Sequence, residues 1–377
     1  MLTQVQTLPS TLLYSTMKGK ILDKATKACR DAIEKDLKLQ QGQRVVLVHQ
    51  ANSGSELNKI LFEAYSSALE GHELFETIDY DAIDAHDLKK KLYALNAGDV
   101  AILIQNDSFR MSDYRIRLDL KNRDIFVIEH NHLHFDDTEE KRENYVNALT
   151  CDKEHYQKVA SNFEKLIMNA KKIIIESSDG SKLIYKGPFE EIKKNIGELS
   201  LNLGSFYPIG EVFLEPRDLF SVNGEFLVYA YPNLKYVTTL CEPFKIVVCE
   251  GKIVSHEGPA EFNEIIQLVA KENARALVMG PNEKYVLSET EKKTKEVWIR
   301  EMGFGLNRNI GKNASLNFVS AHERQCGYHI SLGLKHGVYR KKISKKVNQR
   351  YHIDMFVDVR KILIDDKVVF LNGEYLV

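Results

Sequence analysis

Cysteine is sparse and unpaired. Cys29, Cys151, Cys241, Cys249 and Cys326 are scattered over 377 residues with no Cys-x-x-Cys among them. That spacing offers no disulfide framework and fits a reducing compartment, with the thiols as buried core groups. Long apolar runs are missing too. No stretch reaches 18 apolar residues, so no membrane span is expected. Residues 1–17 lack a basic segment followed by an apolar core and a small-residue cleavage site, so a cytoplasmic location is expected. Charge of one sign is absent: 52 Lys and Arg against 53 Asp and Glu give a net charge of −1. No global field is left to hold nucleic acid or an anionic membrane, and neither is expected as a partner. The Gly-x-Gly-x-x-Gly fingerprint and the Walker lysine are both absent, so Asn52-Ser53-Gly54-Ser55 is at most a weak phosphate cradle. No internal repeat and no long Pro/Gly/Ser linker is visible.

What is present is an ordinary globular composition, 44% hydrophobic and 28% charged, in a chain long enough for two domains. Apolar residues recur at helical spacing from Ile21 to Leu37. Gly42-Gln43-Arg44 then opens the apolar run Val45-Val46-Leu47-Val48, and Asn52 to Ser55 caps a helix carrying Leu57, Ile60, Leu61, Ala64, Tyr65 and Ala68. A helical stretch near Ile83 to Leu95 precedes a second buried run, Val100 to Ile104, and Ile125 to Ile128 is a third. Strands alternating with helices predict a parallel sheet covered on both faces. Residues 1–17 show no period and suggest a lead-in strand or arm.

The pattern changes after a helix ending near Asn169. Lys172 to Glu176 and Leu183 to Tyr185 flank Ser178-Asp179-Gly180-Ser181 as a β-hairpin. Short strands follow at Val212 to Leu214, Phe226 to Tyr231, Tyr236 to Leu240, Phe244 to Val248 and Lys252 to Val254. A helix from Ala260 to Leu277 interrupts them, and Lys284 to Lys295 reads as a solvated helix or insertion. The expected architecture is α/β: an N-terminal open α/β domain, residues 1–168, and a C-terminal β-rich α+β domain, residues 169–377.

The chemistry concentrates in the second half. Residues i and i+2 of a strand point to one face, about 6–7 Å apart along the chain. His352 and Asp354 have that spacing in an apolar segment, and His329 lies in a similar alternation, Tyr328 to Leu332. If these strands pair, the three side chains form a 2-His-1-carboxylate cluster; the competing reading is a pair of core histidines satisfied by backbone. Glu211 follows Gly210, a residue that lets backbone approach a ligand. Glu301 precedes a Gly303-Phe304-Gly305 kink. Alone, either carboxylate reads as a surface or turn residue.

Taken together and in order, these segments resemble one family. Gly210-Glu211-Val212-Phe213-x-x-Pro216 is similar to the Gly-Glu-Val-Phe-Thr-Ala-Pro motif of the aminopeptidase T family of metallopeptidases. Ser178-x-Gly180-x-x-Leu183 resembles its preceding hairpin, and Glu301 to Asn307 its Glu-Leu-Gly-Ile-Gly-Leu-Asn stretch. His329-Ile-Ser-Leu-Gly333 is similar to its His-Ile-Ala-Leu-Gly, and His352-Ile353-Asp354 to its His-x-Asp. The resemblance covers Lys172 to Val359 well and the N-terminal region only in outline. It implies five metal ligands, Glu211, Glu301, His329, His352 and Asp354, converging on two divalent ions (zinc, cobalt or manganese). It also implies a hydrolase that cleaves a small peptide or amide with metal-activated water, and a homodimer. Two dications about 3.5–4 Å apart suit three carboxylates and two imidazoles.

There are departures from the family pattern. The family's tyrosine seven residues after the first motif histidine is His336 here, with Tyr339 three further on, and these two are the candidate auxiliary catalytic residues. The spacing from Glu211 to Glu301 is long and that from His329 to His352 short. Relatives of the family resemble 2,5-dihydroxypyridine dioxygenase, which opens aromatic rings with iron(II); His329, His352 and Asp354 alone would make such a one-iron site. A third alternative is a catalytically inactive binding or scaffold homologue. A rival cluster lies in Glu129-His130-Asn131-His132-Leu133-His134, whose three histidines share a face if the chain stays extended. The basic run Arg340 to Lys346 reads as a solvated loop, or one that meets an anionic substrate.

Overall fold

The computed structural model describes residues 10–107, 110–111, 114–150, 152–197, 205–278, 297–333 and 352–377. Two compact units emerge: Met1–Cys151 with Gly197–Ile209, and Asp152–Ile196 with Gly210–Val377. Among the described residues no helix is long and apolar enough to cross a membrane.

In the first unit, β1 (Val45–His49), β2 (Phe75–Asp79), β3 (Val100–Ile104) and β4 (Phe126–His130) form a parallel sheet. The strand order is β4-β3-β1-β2, with the short strand Ser205–Tyr207 added beside β4. Every residue of β1 and β3 is buried, which explains why both read as unbroken apolar runs. Helices α1 (Ser10–Asp31), α2 (Glu56–Ala68), α3 (Ala85–Tyr93), α4 (Ile116–Asn122) and α5 (Glu139–Ala148) complete the unit. Ser55 starts α2 as the sequence suggests, its side chain accepting from Asn58 N–H. The expectation for residues 1–17 fails in part. A helix begins at Ser10, directly after Pro9, and continues into a wider turn over Ala32–Leu37 that stops at Lys38, φ 54°. The short strand β2 carries only one fully buried residue and gives no apolar signal in the sequence.

The second unit starts with α6 (Lys153–Ile167), earlier than the expected boundary at 168. Phe163 explains the shift: its ring packs edge-on against Phe304 at 5.0 Å and Tyr375 at 5.6 Å, both in the β-rich half. The expected hairpin forms: β5 (Lys172–Ser177) pairs antiparallel with β6 (Lys182–Lys186), from Lys172 opposite Lys186 to Glu176 opposite Lys182. It is followed by β7 (Lys193–Asn195), β8 (Glu211–Leu214), β9 (Asn223–Pro232), β10 (Thr238–Cys249), β11 (Lys252–His256) and α7 (Ala260–Val278). Next come β12 (Ile299–Gly305), α8 (Val319–His322), β13 (Gly327–Gly333), β14 (His352–Val357), β15 (Val359–Ile364), β16 (Lys367–Leu371) and β17 (Glu374–Tyr375). The antiparallel sheet runs β17-β16-β15-β5-β6-β9-β14-β13-β12-β8-β7, with β10 on β9 and β11 on β10. The two strands expected at 236–240 and 244–248 are one, β10. The register on β9 steps from Val228–Phe244 to Ala230–Leu240, so Cys241-Glu242-Pro243 bulges opposite Tyr229. Proline, which donates no ladder bond, sits where the ladder is already broken.

Ser178-x-Gly180 also acquires a structural role. Ser178 Oγ donates to Asp358 Oδ2 at 2.6 Å, and Gly180 adopts φ +87° in the turn. The segment Lys284 to Lys295 lies outside the described residues.

Candidate metal centre

Register alone puts the site on one face of four neighbouring strands. Glu211 of β8 lies opposite Gly305 of β12, and Gly303 of β12 lies opposite His329 of β13. Ser331 and Gly333 of β13 lie opposite Asp354 and His352 of β14. Facing residues of an antiparallel pair point the same way, and alternate residues of a strand share a face. Glu211, Gly303, Gly305, His329, Ser331, His352 and Asp354 therefore project together. Glu301, two residues before Gly303, joins them, its N–H donating to Ser331 Oγ at 2.9 Å.

The glycines explain how the imidazole fits. A Cβ on Gly303 would lie 1.9 Å from His329 Nε2, and one on Gly305 would lie 1.8 Å from the Gln325 carbonyl. Gly303-Phe304-Gly305 is thus not a kink. It is a continuous strand with side chains deleted where a ring and a backbone cross it. Gly210, at φ +117°, brings backbone against the protein itself: a Cβ there would stand 3.0 Å from the Tyr156 ring.

Two overlapping triads result. One ligand-type atom from each of Glu211, Glu301 and His329 lies within 4.8 Å of the other two, and the same holds for Glu301, His352 and Asp354. His329 Nε2 is 3.2 Å from Glu211 Oε1 and 3.8 Å from Glu301 Oε1. His352 Nε2 is 3.1 Å from Asp354 Oδ1 and 3.9 Å from Glu301 Oε2. Yet Glu301 Oε2, His329 Nε2 and Asp354 Oδ1 are buried without a hydrogen bond despite these approaches. Buried polar atoms left so are costly. A divalent cation bound by oxygen and imidazole nitrogen satisfies all three, so the residues fit one.

Charge is correspondingly displaced. Burial pushes the Glu301 carboxyl up, and the neighbouring carboxylates of Asp354 and Glu211 push it further. Burial opposes charge on His329, but Glu211 and Glu301 outweigh it and raise the ring to about 10. His352 is likewise raised well above the usual imidazole range: burial opposes this and Asp354 prevails. Asp354 is held well below the usual carboxylate range, burial again being overcome, here by His352.

Three neighbours carry no sequence signal of a role. Arg324, 6% exposed, places Nη1 2.7 Å from Glu211 Oε2 and 2.5 Å from Glu323 Oε2. It keeps Glu211 below the usual range against the effect of burial, whereas Glu323 is pushed well above it by burial and then by Asp354. Both residues stand beside the histidine motif, but a charged pair there reads as surface until the fold turns it inward. Tyr236, at φ +64°, donates its hydroxyl to the His352 carbonyl at 3.2 Å. His336, Tyr339 and the basic run Arg340 to Lys346 lie outside the described residues.

The rival histidine run separates. His130 is fully buried, between the Tyr65 hydroxyl at 2.8 Å and the Tyr145 hydroxyl at 3.0 Å, and burial lowers its pKa to about 3. The strand ends there and Leu133–Asp136 turns into a 3-10 helix, so the alternation that would align three histidines stops. His132 and His134 instead approach Asp107. The Asn52 to Ser55 loop is filled by acids: Asp81 accepts from Asn52 and Ser53 N–H, and Asp137 from Leu57 N–H. An added anion would meet carboxylates there.

No family model and no curated protein matches the chain. Solved structures do match. 2,5-Dihydroxypyridine dioxygenase from Pseudomonas putida KT2440 has a TM-score of 0.58 at 15% identity, over 93% of this chain and 96% of that one. Wild-type AmpT from Thermus thermophilus has a TM-score of 0.56 at 13% identity, over 94% and 99%. At such identities the likeness establishes a shared fold, and both neighbours bearing it are enzymes.

Proposed function

We infer that this chain is a metal-dependent enzyme, and that it hydrolyses an amide or peptide bond in a small substrate. The observation that carries the reading is the meeting of Glu301 Oε2, His329 Nε2 and Asp354 Oδ1, three buried ligand-type atoms with no hydrogen bond, beside His352. Glu301, His329, His352 and Asp354 would hold the ion, with Glu211 at the edge of the set. A bound divalent cation supplies Lewis acidity, lowering the pKa of water and polarising a carbonyl. The chain's own part is positional. Ser331 fixes the backbone of Glu301, Gly303 leaves room for the His329 ring, and Glu301, the carboxyl with the raised pKa, is the group suited to take a proton from water. The fold shared with AmpT, aminopeptidase T, supports the same reaction class.

A second reading has its own support. Arg324 engages Glu211, which leaves His329, His352 and Asp354 as a 2-His-1-carboxylate set suited to one iron(II) and to ring-opening oxygenation. The dioxygenase neighbour shares this fold. Protein purified without a chelating tag separates the two. Turnover of small peptides or amides under argon, with zinc, cobalt or manganese restored, supports hydrolysis. Dioxygen consumption with a dihydroxylated aromatic, dependent on iron, contradicts it. We also propose a homodimer formed through the β-rich unit; a monomer by light scattering at micromolar concentration rejects it.

A further inference from the structure

The two triads share Glu301 but differ in their surroundings. Around His352 and Asp354 the negative oxygens Glu301 Oε2 and Asp354 Oδ1 accept no hydrogen bond. Glu211 is placed otherwise, beside a fixed cation. Oε2 lies 2.7 Å from Arg324 Nη1, and Oε1 lies 3.2 Å from His329 Nε2. The guanidinium is anchored rather than swinging. Arg324 follows α8, and its carbonyl accepts from Asn307 N–H at 2.9 Å just past the end of β12. Its Nη1 is also 2.5 Å from Glu323 Oε2, so a second carboxylate holds it in place. Arginine stays protonated at any pH a protein survives.

We propose that Arg324 is a built-in cation standing where a second metal ion would sit, so that the centre takes a single divalent ion. This rests on the reading that the cluster binds metal at all. An ion ligated by Glu211 would have to share that carboxylate with a fixed positive charge in a buried, weakly screened site, where like charges repel strongly. An ion ligated by Glu301, His329, His352 and Asp354 leaves the Glu211 carboxylate to Arg324. Glu211 then acts as the counter-ion of Arg324 and a neighbour of His329, a positioning residue and not a ligand. The consequence is chemical: a one-ion centre cannot clamp an oxygen between two metals.

Counting ions tests this without relying on turnover. Chelator-treated wild-type protein is titrated with Mn²⁺ alone by calorimetry and followed by electron paramagnetic resonance. The expected result is one tight ion per chain with the signal of isolated Mn²⁺. Two tight ions with an exchange-coupled signal overturn the proposal while leaving the metal reading intact. No tight ion overturns the metal reading, and the proposal with it. Glu211→Gln should keep the single ion with less than about a tenfold change in affinity, while Asp354→Asn loses it; equal loss in both contradicts the assignment. Arg324→Met should bind a second ion. If it folds by circular dichroism and still binds one, Arg324 is not what excludes the second.

Discussion

His130 and His329 are both buried on strands, and a sequence gives no means of ranking them. His130 stands between two tyrosine hydroxyls and is lowered to about 3 by burial. His329 stands beside two carboxylates and is raised to about 10 although burial opposes its charge. Depth is the same; the partners differ. Hydroxyls can satisfy a neutral ring completely, and such a ring is finished as a piece of core. Carboxylates crowded round a ring leave acceptor atoms over, and the surplus marks a place for a cation.

That contrast can be broken in four ways. Removing a ligand-type group from the second cluster should have the largest effect. Asp354→Asn is expected to abolish tight metal binding and cut activity about 10³-fold, since a Lewis-acid ion contributes several kcal/mol to the barrier at about 1.4 kcal/mol per decade. Elemental analysis beside steady-state rates checks both. His130→Ala should do the opposite. Metal binding should be unchanged while urea denaturation shows a loss of about 2–5 kcal/mol, from the cavity and the abandoned tyrosine hydroxyl. Loss of metal in this variant would erase the distinction between the two histidines.

A subtler break is Gly303→Ala. The added methyl must push the His329 ring aside, and overpacking of about 1–3 kcal/mol predicts a 10–100-fold weaker ion with the fold retained. Unchanged affinity by calorimetry would mean that His329 is no ligand. The gentlest is pH. A His329 ring raised to about 10 carries a proton in the metal-free protein across neutral pH, and an ion must displace it. Affinity should therefore rise about tenfold per pH unit per proton released as pH climbs from 7 toward 9. The sign is opposite for the stability of the metal-free fold. A pKa raised above the unfolded value of 6.5 contributes stability below about pH 6.5, and that is lost as pH rises through about 10. Titrations in buffers of different ionisation enthalpy count the protons; a pH-independent affinity would mean that the metal-free ring is neutral.

Much of this was legible beforehand because period and burial agree. Val45 to Val48 and Val100 to Ile104 are buried on both sides and read as strands without ambiguity. His352-x-Asp354 and His329 alternate with apolar residues because their strands have one functional and one packed face. Other features depend on contacts between residues far apart. Nothing local tells that Gly303 is small to admit His329, or that Arg324 turns inward to Glu211 across more than a hundred residues. The assignment of α6 to the second unit hangs on Phe163 meeting Phe304 and Tyr375. The three-histidine alignment failed for a local reason: the chain leaves the strand conformation at His132, φ 54°, and the period of two goes with it.

The central claim is that the carboxylates and imidazoles of β12, β13 and β14 bind a metal ion. Anomalous diffraction at the absorption edge of a restored transition metal, from crystals of tag-free protein, asks this directly. The account predicts a peak about 2.0–2.2 Å from Glu301, His329, His352 and Asp354 donor atoms. A peak only beside Asp107, His132 and His134, or a metal-free centre in which Glu301, His329 and Asp354 are satisfied by protein and water, would contradict it.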